Sequence, residues 1–151
     1  MSLTVQNYLA DAAEKAAVDL LAAYHRLPED KRNWAPSEKT RSAANQVAEC
    51  AIINGGLVGM LESKTVPADA MAKFPAAIGA MLADLSQLEP ALKENTAQLA
   101  AKIRTLSDEE LAVVIQMPWG PRTVLELISL PFWNMSYHEG QINLLSMLME
   151  G

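Results

Sequence analysis

The chain has 151 residues, half of them apolar, a formal net charge of −6 and one cysteine. That size suits a single domain with one core over residues 1–151; the acidic balance argues against a nucleic-acid partner or an anionic membrane surface, and one cysteine excludes an internal disulfide and a cysteine cluster for zinc. No apolar run approaches the ~18 residues of a membrane span, and "MSLTVQNYLADAAEK" lacks the basic start and apolar centre of a signal peptide, so a cytoplasmic protein is expected.

Leu9, Ala13, Ala16, Ala17, Leu20, Leu21 and Tyr24 recur at helical spacing behind Thr4, a capping residue, and predict a first helix over about 4–26. His25 at its end reads as a surface cation complementing the helix dipole. "LPEDKRNWAPSEKTR" breaks the pattern with two prolines and a charge cluster, and its Trp34 reads as a core plug. A second helix is predicted over about 42–62, with an uncharged second half, "CAIINGGLVGML". Gly55, Gly56 and Gly59 weaken that helix on propensity, so close approach of a neighbour is the expected reason for them.

After the loop "SKTVPADAMAKFP", the spacing of Ile78, Met81, Leu82, Leu85, Leu88, Leu92, Leu99 and Ile103 predicts a long third helix over about 75–104, which Pro90 should kink or split. Ser107 with Glu110 forms a capping-box pattern and predicts one helical turn. "AVVIQM" then reads as a short extended piece, "PWGPR" as a turn, and residues 123–149 as a fourth long helix interrupted at Pro131. Arg122, at that helix start, reads as a surface residue within reach of an anionic substrate. Four long helices joined by loops describe an all-α bundle.

The last helix raises a chemical question. On a helical wheel Ser136, Glu139, Asn143, Ser146 and Glu150 already form a solvent stripe, while Asn134, His138 and Gln141 share the arc of Ile142, Leu145 and Leu148 and are expected to face the core. Buried polar groups need partners, from protein, water or an ion. Asn134 and His138, four apart, lie over one side of a helix, as paired ligands of a single ion do. Glu49 on the second helix is a candidate partner. Its own wheel position, with Ser42, Asn45 and Gln46, is equally that of a solvated stripe, and an open bundle end would suit both readings. Cys50 lies about 100° from Glu49 on the wheel and reads as a small buried thiol.

"RSAANQVAECA", the Trp-Ala-Pro at 34–36 and above all "NMSYHEGQI" resemble the DinB/YfiT-like superfamily of small four-helix-bundle proteins described as metalloenzymes. The resemblance implies an up-down-down-up-type four-helix bundle. It also implies one divalent metal, commonly nickel or zinc, held by three histidines: one six residues after the Ala of a Ser/Thr-Ala start, and two in an H-x-x-x-H-x-G-Q-like segment. Carried over here, the three positions are Glu49, Asn134 and His138, with Gln141 beside them. Only one imidazole remains, so the resemblance implies a metal that is weakly held or absent. The expected function is a small-molecule pocket at these residues, with thiol-dependent transferase or hydrolase chemistry. The alternative is a non-enzymatic bundle that has lost its metal and serves as a small-ligand-binding or dimerising module, a homodimer pairing through "LISLPFWNM" and "LLSMLM".

Overall fold

A computed structural model describes residues 2–150. Helix α1 (Val5–Arg26) begins where the Thr4 hydroxyl accepts the Asn7 N–H, and α2 (Ala43–Ser63) where Ser42 does the same for Asn45. With α4 (Leu88–Arg104) and α6 (Val124–Glu150) they make a four-helix bundle. α1 packs against α4 and α6, and α2 packs against the same two helices. α1 and α2 hardly meet, so they occupy opposite corners. The loop over 27–42 therefore crosses the end of the bundle. Trp34 within it is half-buried against the core, as a plug.

The third predicted helix is two helices. α3 (Ala70–Ala83) starts earlier than its periodicity suggests and contains Pro75. The break falls at Asp84, whose extended backbone leaves the helix and whose carboxylate accepts the Ser86 N–H, opening a single 3-10 turn at Leu85–Gln87. Pro90 breaks nothing. It sits in the first turn of α4, where a backbone N–H would have no intrahelical partner anyway. Pro131 likewise lies inside a continuous α6 and does not interrupt it.

The capping box at Ser107 and Glu110 forms and starts the one-turn α5 (Asp108–Leu111). β1 (Val114–Met117) is the expected extended piece, but it has a partner that the sequence did not suggest. β2 (Gly120–Thr123) returns antiparallel, with Met117 opposite Gly120 and Pro118-Trp119 as the turn. Gly120 has φ +117°, a conformation open to glycine. Thr123 and Glu126 then cap α6 reciprocally.

The core is a run of leucines, isoleucines and alanines from all four long helices, with Leu20, Leu92, Met135 and Ile142 towards one part and Leu61, Leu99, Ile103 and Leu127 in another. Asn54 is a buried polar link, donating to the Thr96 hydroxyl at 2.9 Å. The surface of α6 departs from its wheel. Ser136 and Glu150 are exposed, but Glu139, Asn143 and Ser146 are half-buried, and Leu148, expected inside, is exposed with Trp133, Tyr137, Leu144 and Met147. No helix among the described residues is long and apolar enough to cross a membrane.

The three glycines of α2 differ in their surroundings. A Cβ at Gly55 would stand 2.8 Å from Asn95 Nδ2, which donates to the Ala51 carbonyl, so close approach explains this residue. A Cβ at Gly59 would meet nothing. Gly59→Ala is therefore expected to stabilise the fold by about 0.5–1 kcal/mol in urea denaturation. Gly55→Ala should gain little or nothing, because Asn95 must leave Ala51; equal gains at both positions would contradict the close approach.

Candidate functional site

Two polar stripes face each other where α2 meets α6. On α2 the residues in contact are Gln46 and Glu49, and on α6 His138, with Gln141 beside it. The start of α2 is tied to the preceding loop: the Ala44 N–H donates to the Arg32 carbonyl at 2.8 Å, and the Ser42 hydroxyl donates to Asn33 Oδ1 at 2.9 Å. This anchorage holds Arg41 over the first turns of α2, where its guanidinium pairs with Glu49 Oε2. Glu49 is only 15 % exposed in its side chain, so it is not on a solvated stripe.

His138 is 1 % exposed. Its Nε2 lies 3.1 Å from Glu49 Oε1, and its Nδ1 lies 2.8 Å from Gln46 Oε1 and 3.0 Å from Gln141 Oε1. All three neighbours are oxygens. Gln46 is oriented by its own NH2 group, which donates to the Arg41 carbonyl at 3.3 Å and so turns its oxygen to the ring. Two amide oxygens beside Nδ1 favour the tautomer with the proton on that nitrogen. Burial above all pushes the His138 pKa below the ordinary imidazole value, with the Gln141 hydrogen bond opposing and the Arg41 charge adding to the effect. The ring is then neutral at pH 7, and Nε2 stands 3.1 Å from Glu49 Oε1, a spacing at which one proton or one cation fits between the two.

Glu49, His138 and Gln141 are thus brought together. Asn134 is one turn away, half-buried, with its Nδ2 3.6 Å from Cys50 Sγ; among the described residues no hydrogen bond joins it to Glu49 or His138. Cys50 is fully buried and its pKa is pushed up to about 12, chiefly by burial, so it stays a protonated thiol at neutral pH. His25 lies outside this region, its Nε2 2.8 Å from Glu89, and Arg122 sits on β2, donating to the Pro121 carbonyl. Two members of the network were missed in the sequence. Gln46 was counted with a wet stripe but is 3 % exposed, and Arg41 carried no signal beyond its place just ahead of a helix cap.

The donors present fit one loosely held divalent cation. Among the described residues there is no group of three His, Cys, Asp or Glu side chains able to hold a metal. What exists is an imidazole nitrogen whose ring N–H is tied to amide oxygens, the usual support of a metal-bound histidine, and a carboxylate oxygen 3.1 Å from it. Two ligands bonded at about 2.0–2.2 Å to one ion stand about 3 Å apart. The third position would fall to the Asn134 amide, a weak donor, and Arg41 already neutralises half of the Glu49 carboxylate.

Next to this centre a cleft of about 500 Å³ opens between α2, α3, the β1–β2 turn and α6. Glu49 and Asn134 are in its wall. The rest, Lys73 excepted, is apolar or glycine, including Ile53, Gly56, Met60, Phe74, Trp119 and Trp133.

No protein of curated function matches the chain. Among solved structures it is similar to YfiT from Bacillus subtilis, at 17 % identity, with a TM-score of 0.78 over 99 % of this chain and 91 % of that one. That protein is described as a probable metal-dependent hydrolase with an unusual four-helix bundle topology; at this identity the likeness establishes the fold. The family model of the DinB superfamily matches residues 12–142, nearly the whole bundle and all the residues of the polar centre, and the chain belongs to that superfamily.

Proposed function

We propose that Glu49 and His138 hold one divalent cation, with Asn134 as a third and weaker donor, and that the protein acts there on a small molecule as a hydrolase or transferase. The observation that carries this reading is the approach of His138 Nε2 to Glu49 Oε1 at 3.1 Å, an imidazole nitrogen and a carboxylate oxygen spaced as two ligands of one ion would be. Gln46 and Gln141 hold the Nδ1 proton and so aim Nε2 at the shared point. Arg41 takes Glu49 Oε2, which leaves Oε1 free and fixes the carboxylate in one orientation. A divalent ion, when bound, lowers the pKa of a coordinated water or thiol so that it becomes a nucleophile at neutral pH. The apolar walls of the neighbouring cleft would keep bulk water from a molecule placed beside Glu49. The metal description of YfiT, whose fold this chain shares, is in line with the reading.

Calorimetric titration of chelator-treated protein with nickel or zinc chloride tests it. A single weak equivalent is expected in the wild type, lost in His138→Gln, and tightened in Arg41→Gln because a competing positive charge has gone. No binding by the wild type, or equal binding by His138→Gln, would leave the metal-free, ligand-binding alternative in its place.

A further inference from the structure

We infer that the cleft beside the polar centre is a binding site for an uncharged, largely hydrocarbon small molecule carrying one hydrogen-bond donor, with α3 as its cover. The inference deepens the small-molecule reading above and rests on it only for placing Glu49 and Asn134 at the polar end; it requires no metal.

The first observation is α3 itself. Its fourteen residues, "AMAKFPAAIGAMLA", carry a single charge; Ile78, Met81 and Leu82 in its second half are half-buried against the core, but none of the fourteen is fully buried. A helix of that composition would ordinarily bury a face. Here Met71, Phe74 and Ala77 instead line the cleft, and Met71 is 58 % exposed. Opposite them α2 offers Ile53, Gly56 and Met60, so two apolar walls face each other across an open volume of about 500 Å³. That is the size and lining of small-molecule sites, which run from about 300 to 1,000 Å³.

Two indoles mark the mouth. Trp119 reaches it from the tip of the β1–β2 turn and is 54 % exposed; Trp133 comes from α6 and is 60 % exposed. Trp133 is stacked on Tyr137, ring centroids 5.5 Å apart and planes within 16°, which holds it in place without covering the cleft. Large rigid apolar groups left in water at the rim of a concave apolar surface are what a ligand of the same character would cover.

The charges narrow the ligand class. At the polar end Glu49 is a carboxylate and the NH2 of Asn134 is turned to Cys50, so what remains is acceptor oxygen. Among the described residues the cation near that end, Arg41, is already paired with Glu49, and Lys73 at the rim pairs with Asp69. A donor group is therefore favoured there and a carboxylate is disfavoured.

Gly56 gives a clean test. It lines the cleft, and a Cβ there would meet only the end of Met60, at 3.9 Å, so a larger side chain would grow into the open volume without disturbing the bundle. Gly59, one turn on, does not line it and has no neighbour within reach. The probe is N-phenyl-1-naphthylamine, uncharged, with one N–H, titrated into the full chain in excess chelator and followed by its fluorescence. Saturable binding at one site is expected in the wild type and in Gly59→Leu, with at least a tenfold loss in Gly56→Leu while its circular dichroism and melting remain cooperative. Met71→Glu, an exposed change at the rim, should weaken binding as well and covers the case in which Gly56→Leu does not fold. Laurate, of similar size but anionic, should compete poorly. Absence of saturable binding, or equal binding by Gly56→Leu and Gly59→Leu, would overturn the site, and strong competition by laurate would overturn the ligand class. Because no metal is present, none of these outcomes depends on whether His138 and Glu49 bind one.

Discussion

Histidine at both positions 49 and 134 is expected to raise zinc affinity by about two orders of magnitude or more over the wild type, since it replaces a half-neutralised carboxylate and an amide by two imidazoles. Position 134 lies one helical turn before His138, so both rings leave the same side of α6. Position 49 already reaches His138 Nε2. The third ligand is His138 itself, whose Nδ1 anchorage by Gln46 and Gln141 the double variant leaves intact. Arg41, 44 % exposed in its side chain, is free to swing into water once Glu49 is gone. Competition against a chromophoric chelator measures the gain. An affinity equal to that of the wild type would mean that the two positions do not converge on His138 Nε2, and the metal reading would fall with it.

The second large effect concerns stability. His138→Ala is expected to destabilise the fold by about 2–4 kcal/mol, because it leaves a void and strips a partner from buried polar atoms at once. Gln46, nearly as buried as the histidine, loses the acceptor role it plays for Nδ1–H, and Glu49 Oε1 loses its only neighbour on α6 among the described hydrogen bonds. His138→Gln should cost less, since an amide can still donate towards Gln46. Urea denaturation with both variants reads the difference; a cost below about 1 kcal/mol for His138→Ala would show that the network is easily rebuilt around water.

The four long helices were legible because each buries one face continuously, and periodicity reports that directly. The break at Asp84 was not, because Leu82, Leu85 and Leu88 keep helical spacing across it; the signal was the Asp-x-Ser of a side-chain turn, a local hydrogen bond that periodicity does not register. β2 was illegible for a related reason. "GPRT" has neither alternation nor β-branched residues apart from Thr123, and it is a strand only because β1 lies beside it.

The candidate centre was half legible. His138 stood out as a polar group in an apolar arc. Glu49 and Gln46 looked wet because a wheel shows which residues share a side of a helix, not whether water or another polar side chain lies opposite. Here the polar side of α2 meets the polar side of α6, and each satisfies the other. Leu148, which a wheel places beside Leu145 and Ile142, is exposed because it lies in the last turn, with solvent beside it.

Arg41 belongs to the connector that crosses the end of the bundle, not to any of the four helices. The electrostatics at Glu49 can therefore be retuned by editing one position of a loop while the scaffold stays as it is. One substitution there would change the charge balance around a buried carboxylate while every helix–helix contact stays as it is.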